Sequence, residues 1–200
     1  MKWIVITTPE FITNEARYIE LLFEAGIDLL HLRKPDSCIE DCERLIQEIN
    51  PKWYPKMVMH DHFELCEKYH LHGIHLNRRN HEIPKGFQGS VSRSCHSLEE
   101  VIDQKDSFDY VFLSPIFDSI SKKGYQHAFN DETLSKAAQK EIINEKVIAL
   151  GGITNEKIPQ LKTWHFGGAA FLGAVWNHRD DKYWLEHLAN IKKSLVGSQK

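Results

Sequence analysis

The chain has 200 residues, of which 42% are hydrophobic and 26% charged, and its formal net charge is −3 at pH 7. This length suits a single domain with a sizeable core, and the slightly acidic balance favours neither a nucleic-acid nor a membrane-surface partner. No apolar run approaches a membrane span, and residues 1–6 predict a strand rather than a signal peptide. The four cysteines show no disulfide-rich pattern, which predicts reduced thiols and a cytoplasmic protein.

Apolar runs of strand length alternate with segments of helical spacing along the whole chain. The predicted strands are residues 3–7, 27–32, 57–59, 73–76, 89–94, 110–113, 147–150 and 169–172. The predicted helices are residues 14–24, 39–49, 63–69, 98–103, 131–140 and 183–195. This alternation predicts a single-domain α/β fold, a (β/α)₈ TIM barrel over residues 1–196, with a flexible tail at 197–200. The alternative is an open doubly wound sheet, which would place a glycine-rich turn where the chain has Thr7-Thr8-Pro9.

Polar residues follow most of the predicted strands, and in a barrel the C-terminal ends of the strands face one mouth. His31 and Arg33 are two apart on the second strand, so both side chains can point into the mouth. The other residues at strand ends are Lys34, His60, Asp61, Arg78, Arg79, Ser94, His96, Ser119, Ser121 and Lys122. So many cations on a slightly acidic protein predict an anionic ligand.

Glycines follow the seventh and eighth strands, at the usual phosphate site of such barrels. They are Gly151, Gly152 and Gly173. The loop after the sixth strand carries hydroxyl groups, lysines and a glycine, which also suit a phosphorylated ligand. The alternatives are a tight strand-to-helix turn for the glycines and a solvated surface for the loop.

Asp61 is the candidate metal ligand. A carboxylate that ends a barrel strand can bind Mg²⁺, especially beside a diphosphate. The alternative is that Asp61 pairs with one of the cations of the mouth. His31 and His96 can serve as acid or base near neutral pH, or they can simply have satisfied hydrogen bonds.

Taken together, several motifs resemble the thiamine phosphate synthase and TenI family over nearly the whole chain. They are His-Leu-Arg-Lys-Pro at 31–35, His-Asp at 60–61, Gly-Ile-His-Leu at 73–76, Ser-Cys-His-Ser at 94–97, Ser-Pro-Ile-Phe-Asp-Ser-Ile-Ser-Lys at 114–122 and Ala-Leu-Gly-Gly-Ile at 149–153. The resemblance implies a barrel enzyme, in a family whose members are commonly homodimers, that joins hydroxymethylpyrimidine diphosphate to thiazole phosphate. Pyrophosphate leaves first in the implied mechanism, and the thiazole nitrogen then attacks a pyrimidine cation.

The resemblance also implies roles for individual residues. Arg33 and Lys122 would hold pyrophosphate, Asp61 would hold Mg²⁺, and Ser94 would stabilise the developing charge. The thiazole phosphate would be bound by Ser119, Ser121, Gly151 and Gly152. The remaining predicted substrate-binding residues are His31, Lys34, His60, Arg78, His96 and Gly173.

Two departures from the family pattern keep alternatives open. Asn80 stands where the family has its second magnesium aspartate, and the loss of an anionic oxygen weakens Mg²⁺ binding. Pro115 stands where the TenI branch has its catalytic histidine. We predict the synthase, because Arg33, Asp61 and the loop at 114–122 are retained. The alternatives are a TenI-like thiazole phosphate tautomerase and a non-catalytic binder of thiazole phosphate or thiamine phosphate.

Overall fold

The alternation of strands and helices closes into a barrel in a computed structural model, which describes residues 1–117 and 129–197. The parallel strands pair in sequence order, and the first pairs with the eighth to close the barrel. They are β1 (Lys2–Ile6), β2 (Leu29–Leu32), β3 (Met57–Met59), β4 (Gly73–Leu76), β5 (Ser90–Cys95), β6 (Tyr110–Leu113), β7 (Val147–Leu150) and β8 (Gly168–Phe171). The predicted (β/α)₈ barrel is therefore confirmed, and the alternative of an open sheet is wrong.

Helices cover the outside of the barrel. Within the described residues they are α1 (Glu15–Ala25), α2 (Ile39–Glu48), α3 (Glu64–Lys68), α4 (Leu98–Gln104), α5 (Asp131–Gln139), α6 (Ile158–Thr163), α7 (Gly173–Trp176) and α8 (Trp184–Val196). Short 3₁₀ segments lie at Pro51–Lys56, Lys105–Ser107 and Asn155–Lys157. The sequence did not predict α6 and α7, which have six and four residues. None of the helices described is long and apolar enough to cross a bilayer.

One helix end also positions a residue of the barrel mouth. Ser97 precedes α4, and its hydroxyl accepts the N–H of Glu100, as in a capping box. The Glu100 carboxylate bonds back to the N–H of His96, one residue before the expected partner. The helix end therefore fixes the main chain of His96.

Most of the strands are buried on both faces, as expected for a parallel sheet covered by helices, whereas β5 is only partly buried. Their outward side chains pack against the helices in one large apolar cluster. A second apolar cluster fills the lumen, the inside of the barrel, with Ile4, Ile6, Leu29, Val58, Tyr110, Phe112, Ile148 and Ala170. Buried polar residues also occur on the lumen-facing strands, and these residues connect the core to the mouth.

Candidate active site

Strand β2 directs two of the predicted site residues into the barrel. His31 is fully buried in the lumen, and Arg33 reaches the mouth, where it lines a cavity. Both side chains point inward, as the spacing of two residues predicted. Thr7 fixes the main chain of Arg33, because its Oγ1 accepts the N–H at 2.9 Å and donates to the carbonyl oxygen at 3.2 Å. No sequence motif indicated this role of Thr7.

A cavity of about 410 Å³ opens at the C-terminal mouth of the barrel. We call it the mouth cavity. Its polar wall contains Arg33, Arg78, Arg79, His60, Ser94 and His96, and its apolar wall contains Ile6, Phe112, Leu150 and Leu172. Two other surface cavities, of about 640 and 660 Å³, contain none of the predicted site residues. Because TIM barrels carry their chemistry at the C-terminal mouth, the mouth cavity is the candidate active site.

The mouth cavity is strongly cationic. Burial is the larger cause that lowers the pKa of Arg33, and the neighbouring cation Arg79 adds to it. Asp61 acts in the opposite direction on the same pKa. Guanidinium groups remain charged in proteins, so cations this close together favour a ligand with several anionic oxygens.

A chain of hydrogen bonds runs from the mouth cavity into the lumen. His60 Nε2 lies 2.9 Å from His31 Nδ1, and His31 Nε2 lies 2.8 Å from the hydroxyl of Tyr110. Burial lowers the pKa of His31 and of His60 well below the usual value, and the neighbouring histidines add to the effect. Both rings are therefore neutral near pH 7. This contradicts the prediction that His31 touches substrate, since it lies behind His60 and has no exposed surface.

His75 supports Ser94, the residue predicted to stabilise developing charge. Its Nε2 lies 2.8 Å from Ser94 Oγ, and its Nδ1 lies 2.8 Å from Ser92 Oγ. Burial lowers the pKa of His75 to about 3, so the ring stays neutral. Ser94 lines the mouth cavity, and His75 holds its hydroxyl in place.

Three buried imidazole rings lie close enough together to be considered as a metal centre. Nitrogen atoms of His31, His60 and His75 lie within 4.8 Å of one another. The rings of His60 and His75 are stacked, however, with centroids 4.3 Å apart and planes at 22°. A metal ion must lie in the plane of each imidazole that binds it, and stacked rings do not direct their lone pairs to one point. The three rings are a hydrogen-bonded part of the lumen and not a metal centre.

His96 lies on the exposed rim of the mouth cavity. Its Nδ1 donates to the carbonyl oxygen of Ser114 at 3.1 Å. Since a carbonyl oxygen only accepts, the Nδ1 of neutral His96 carries the proton and its Nε2 is the basic nitrogen. Arg78 is also exposed on this rim. Both predicted substrate-binding residues therefore lie at the candidate site.

Asp61, the predicted metal ligand, forms an ion pair with Arg79. The Nη2 of Arg79 lies 3.0 Å from Oδ1 and 3.3 Å from Oδ2, and its Nε lies 3.3 Å from Oδ1. Asn80 Nδ2 donates to the same Oδ1 at 2.8 Å and to the carbonyl oxygen of His60 at 3.0 Å. Asp61 thus pairs with a cation of the mouth, the alternative that its sequence position left open.

These contacts do not fit a Mg²⁺ site. Mg²⁺ requires oxygen ligands in near-octahedral geometry. Oδ1 of Asp61 already accepts hydrogen bonds from Arg79 and Asn80, and a guanidinium cation lies against the carboxylate. Asn80 turns its nitrogen toward two acceptors, which fixes its amide orientation and excludes its oxygen from this point. The Mg²⁺ prediction rested on Asp61, whose carboxylate is here engaged by N–H donors.

Lys34 does not lie in the mouth cavity, which corrects its prediction as a substrate-binding residue. Its side chain is fully buried, and its Nζ lies 2.7 Å and 2.8 Å from the two carboxylate oxygens of Glu15. The same Nζ donates to the carbonyl oxygens of Thr8 and Glu10 at 3.0 Å and 2.7 Å. Lys34 therefore stabilises the connection between β1 and α1.

The glycines predicted to bind phosphate directly follow residues of the cavity wall. Gly151 and Gly152 follow Leu150 and have φ of +97° and +62°, and Gly173 follows Leu172. A Cβ at Gly151 would lie 2.9 Å from Cα of Pro115, so close packing also requires this glycine. Three further predicted residues lie outside the described part of the chain: Ser119, Ser121 and Lys122. Residues 198–200 of the predicted tail also lie outside it.

Comparison with known proteins identifies the family. A family model described as thiamine monophosphate synthase matches residues 3–175. The chain belongs to this family. The resemblance predicted from the motifs is therefore confirmed.

Individual relatives agree with this assignment. A thiamine-phosphate synthase of Bacteroides thetaiotaomicron is 25% identical over 204 residues, which cover 93% of this chain and 98% of that protein. The crystal structure of a thiamine phosphate pyrophosphorylase from the same species is 42% identical, covers both chains completely and superposes with a TM-score of 0.91. A thiamine phosphate pyrophosphorylase of Pyrococcus furiosus, at 18% identity and a TM-score of 0.77 with 98% of this chain and 95% of that chain covered, shows the fold alone. These names favour the synthase over the tautomerase and the non-catalytic binder.

Proposed function

We propose that this enzyme joins hydroxymethylpyrimidine diphosphate to thiazole phosphate and releases pyrophosphate. The observation that carries the proposal is the convergence of Arg33, Arg78 and Arg79 on one cavity at the C-terminal mouth of a barrel of this family. Planar guanidinium groups bind phosphate oxygens through paired hydrogen bonds. The cationic wall is therefore suited to the diphosphate.

The reaction breaks one bond and forms another. The C–O bond between the pyrimidine methylene and the diphosphate breaks, and its electron pair leaves with pyrophosphate. The thiazole nitrogen then donates its lone pair to the methylene cation and forms the new C–N bond. Charge accumulates on the departing pyrophosphate, so fixed cations and hydrogen-bond donors that face it lower the barrier.

The described residues divide this work between them. Arg33, fixed by Thr7, and Arg78 bind the diphosphate oxygens at the cationic wall. Ser94, oriented by His75, offers its hydroxyl to the charge that develops at the reacting centre. The opposite wall, with Leu150 and Leu172, leads to the glycines. Gly151 and Gly152 receive the phosphate of the thiazole there, so the two anionic groups lie on different sides of the cavity.

Small phosphorylated substrates and a cytoplasmic location belong to the same proposal. All four cysteines are free thiols, and three of them, Cys42, Cys66 and Cys95, are buried. Free thiols are typical of a reducing compartment. A homodimer stays a prediction from the family resemblance.

The direct test is synthesis of thiamine phosphate from the two purified substrates, measured against a reaction without enzyme. We expect Arg33→Ala to lower kcat/KM by about 100-fold, which corresponds to about 2.7 kcal/mol of lost transition-state stabilisation. The reason is that a fixed guanidinium group no longer faces the departing pyrophosphate. Circular dichroism would verify that the variant is folded.

The matched control is Arg44→Ala, which removes an exposed arginine from the surface of α2, where it pairs with Asp41 at 3.1 Å. We expect its kcat/KM to stay within about twofold of the wild type. Equal activity of Arg33→Ala and Arg44→Ala would remove Arg33 from the site. Absence of product from the wild-type enzyme would contradict the proposed reaction.

A further inference from the structure

Hydrogen bonds in the loop after β4 fix the position of Arg79 at the mouth cavity. Asn77 Oδ1 accepts the main-chain N–H groups of Arg79 and Asn80 at 2.9 Å and 3.2 Å. Its Nδ2 donates to the carbonyl oxygen of His60 at 2.9 Å, which ties the loop to the end of β3. Asn77 therefore fixes the main chain at Arg79 and links it to the end of β3.

Asp61 fixes the side chain of Arg79. Its carboxylate is nearly buried, with 11% of the side chain exposed, whereas 42% of the Arg79 side chain is exposed. The described contacts of Arg79 with Asp61 use Nε and Nη2. Nη1 has no role in this ion pair and can donate two hydrogen bonds to a ligand. The carboxylate thus orients a cation that lines the cavity.

The positive charge beside Asp61 comes from guanidinium groups rather than from a divalent cation. Arg79 lies where Asp61 would hold a metal, and Arg33 lies close enough to Arg79 to feel its charge. Arg33, Arg78 and Arg79 line the same cavity. Three guanidinium groups supply positive charge and directed N–H donors without a metal.

We propose that Arg79, held by Asp61, whose carboxylate accepts a hydrogen bond from Asn80, takes the place of magnesium and binds the departing pyrophosphate directly, so that this enzyme works without a divalent cation. The inference rests on the proposed function, because it specifies how that reaction stabilises its leaving group. The bonds that break and form are those of the proposed reaction: the C–O bond breaks, and pyrophosphate leaves with the electron pair toward the guanidinium groups.

The first test is binding of inorganic pyrophosphate, measured by isothermal titration calorimetry in EDTA. We expect the wild type to bind pyrophosphate in EDTA, with a Kd within about twofold of that in Mg²⁺. Arg79→Ala should weaken binding in EDTA by about 10-fold or more. Added Mg²⁺ should restore much of this loss, because the substitution frees the Asp61 carboxylate to bind a metal.

Two further variants define the readout. Arg44→Ala, at the surface pair on α2, should bind pyrophosphate as the wild type does in both buffers. Arg79→Ala combined with Asn80→Asp places two carboxylates at the site, and pyrophosphate binding should then depend on Mg²⁺ more strongly than in Arg79→Ala. Wild-type protein that binds pyrophosphate only in Mg²⁺ would overturn the inference, as would equal affinities of wild type and Arg79→Ala in EDTA.

Synthesis in EDTA and in Mg²⁺ separates this inference from the proposed function. Product in EDTA supports both. If product forms only in Mg²⁺, the proposed reaction stands and metal-independent catalysis is overturned. No product in either buffer, with pyrophosphate still bound in EDTA, overturns the reaction while the metal-free pyrophosphate site stands.

Discussion

We expect Lys34→Met to lower the free energy of unfolding by about 3–5 kcal/mol, because the substitution leaves the carboxylate of Glu15 buried without its cation. The exposed fractions of the two side chains are 0% and 2%, so water cannot replace the lost partner. Burial lowers the pKa of Lys34 and raises that of Glu15, although each partner opposes the effect on the other. The cost of burying the two charges thus exceeds what their attraction returns. Removal of one partner is destabilising because the remaining charge keeps its burial cost and loses the attraction.

The measurement is urea unfolding of Lys34→Met and of the double variant Glu15→Leu with Lys34→Met. Replacement of both charges removes the unpaired carboxylate, so the double variant should recover at least about 2 kcal/mol relative to Lys34→Met. Lys136→Met, which breaks an exposed pair with Glu132, serves as the control, with an expected change below about 1 kcal/mol. A loss below about 1 kcal/mol for Lys34→Met would contradict the structural role.

Substrate kinetics of the double variant provide a second readout. A structural Lys34 predicts that the folded double variant keeps the KM for the pyrimidine diphosphate within about threefold of wild type. A rise of KM by about 10-fold or more would instead return Lys34 to the set of substrate-binding residues.

Local periodicity explains why the barrel and much of its mouth could be predicted. Strands buried on both faces appear in the sequence as short apolar runs, and their order in the chain is their order in the barrel. The spacing of His31 and Arg33 correctly placed both on the inner face. The same alternation places the next residue, Lys34, on the opposite face, a signal that its positive charge obscured.

Contacts between loops and the depth of the lumen could not be predicted from the sequence in this way. The pairing of Asp61 with Arg79 depends on the loop that Asn77 organises, and strand periodicity says nothing about such a loop. The meeting of His31 with His60 depends on how neighbouring strands are offset in the barrel, which pairs His31 with Val58.

The buried histidines predict that the protein loses stability in mild acid. Burial lowers the pKa of His75 to about 3, and those of His31 and His60 well below the usual value. In the unfolded chain each titrates near about 6.5. Below that pH the unfolded chain therefore binds more protons than the folded protein, so the free energy of unfolding is full above about pH 6.5 and falls as the pH decreases.

His75 alone should contribute a loss of about 2 kcal/mol between pH 7 and pH 5, and His31 and His60 act in the same direction. Glu15 acts in the opposite direction, because burial raises its pKa. Urea unfolding at a series of pH values should therefore compare wild type with His75→Gln and with His31→Gln. His75→Gln should show a slope against pH that is smaller by about 1.4 kcal/mol per pH unit below about pH 6, and the slope of His31→Gln should also be smaller than that of the wild type.

The slope is informative even where a variant is less stable at every pH, because a lost hydrogen bond shifts the whole curve while a lost titrating group changes its steepness. His81→Gln is the control, at a histidine whose side chain is 67% exposed. Its slope should match that of the wild type. Wild-type slopes in both His75→Gln and His31→Gln would show that the buried rings take up protons in the folded state, and the neutral hydrogen-bonded lumen would then be wrong.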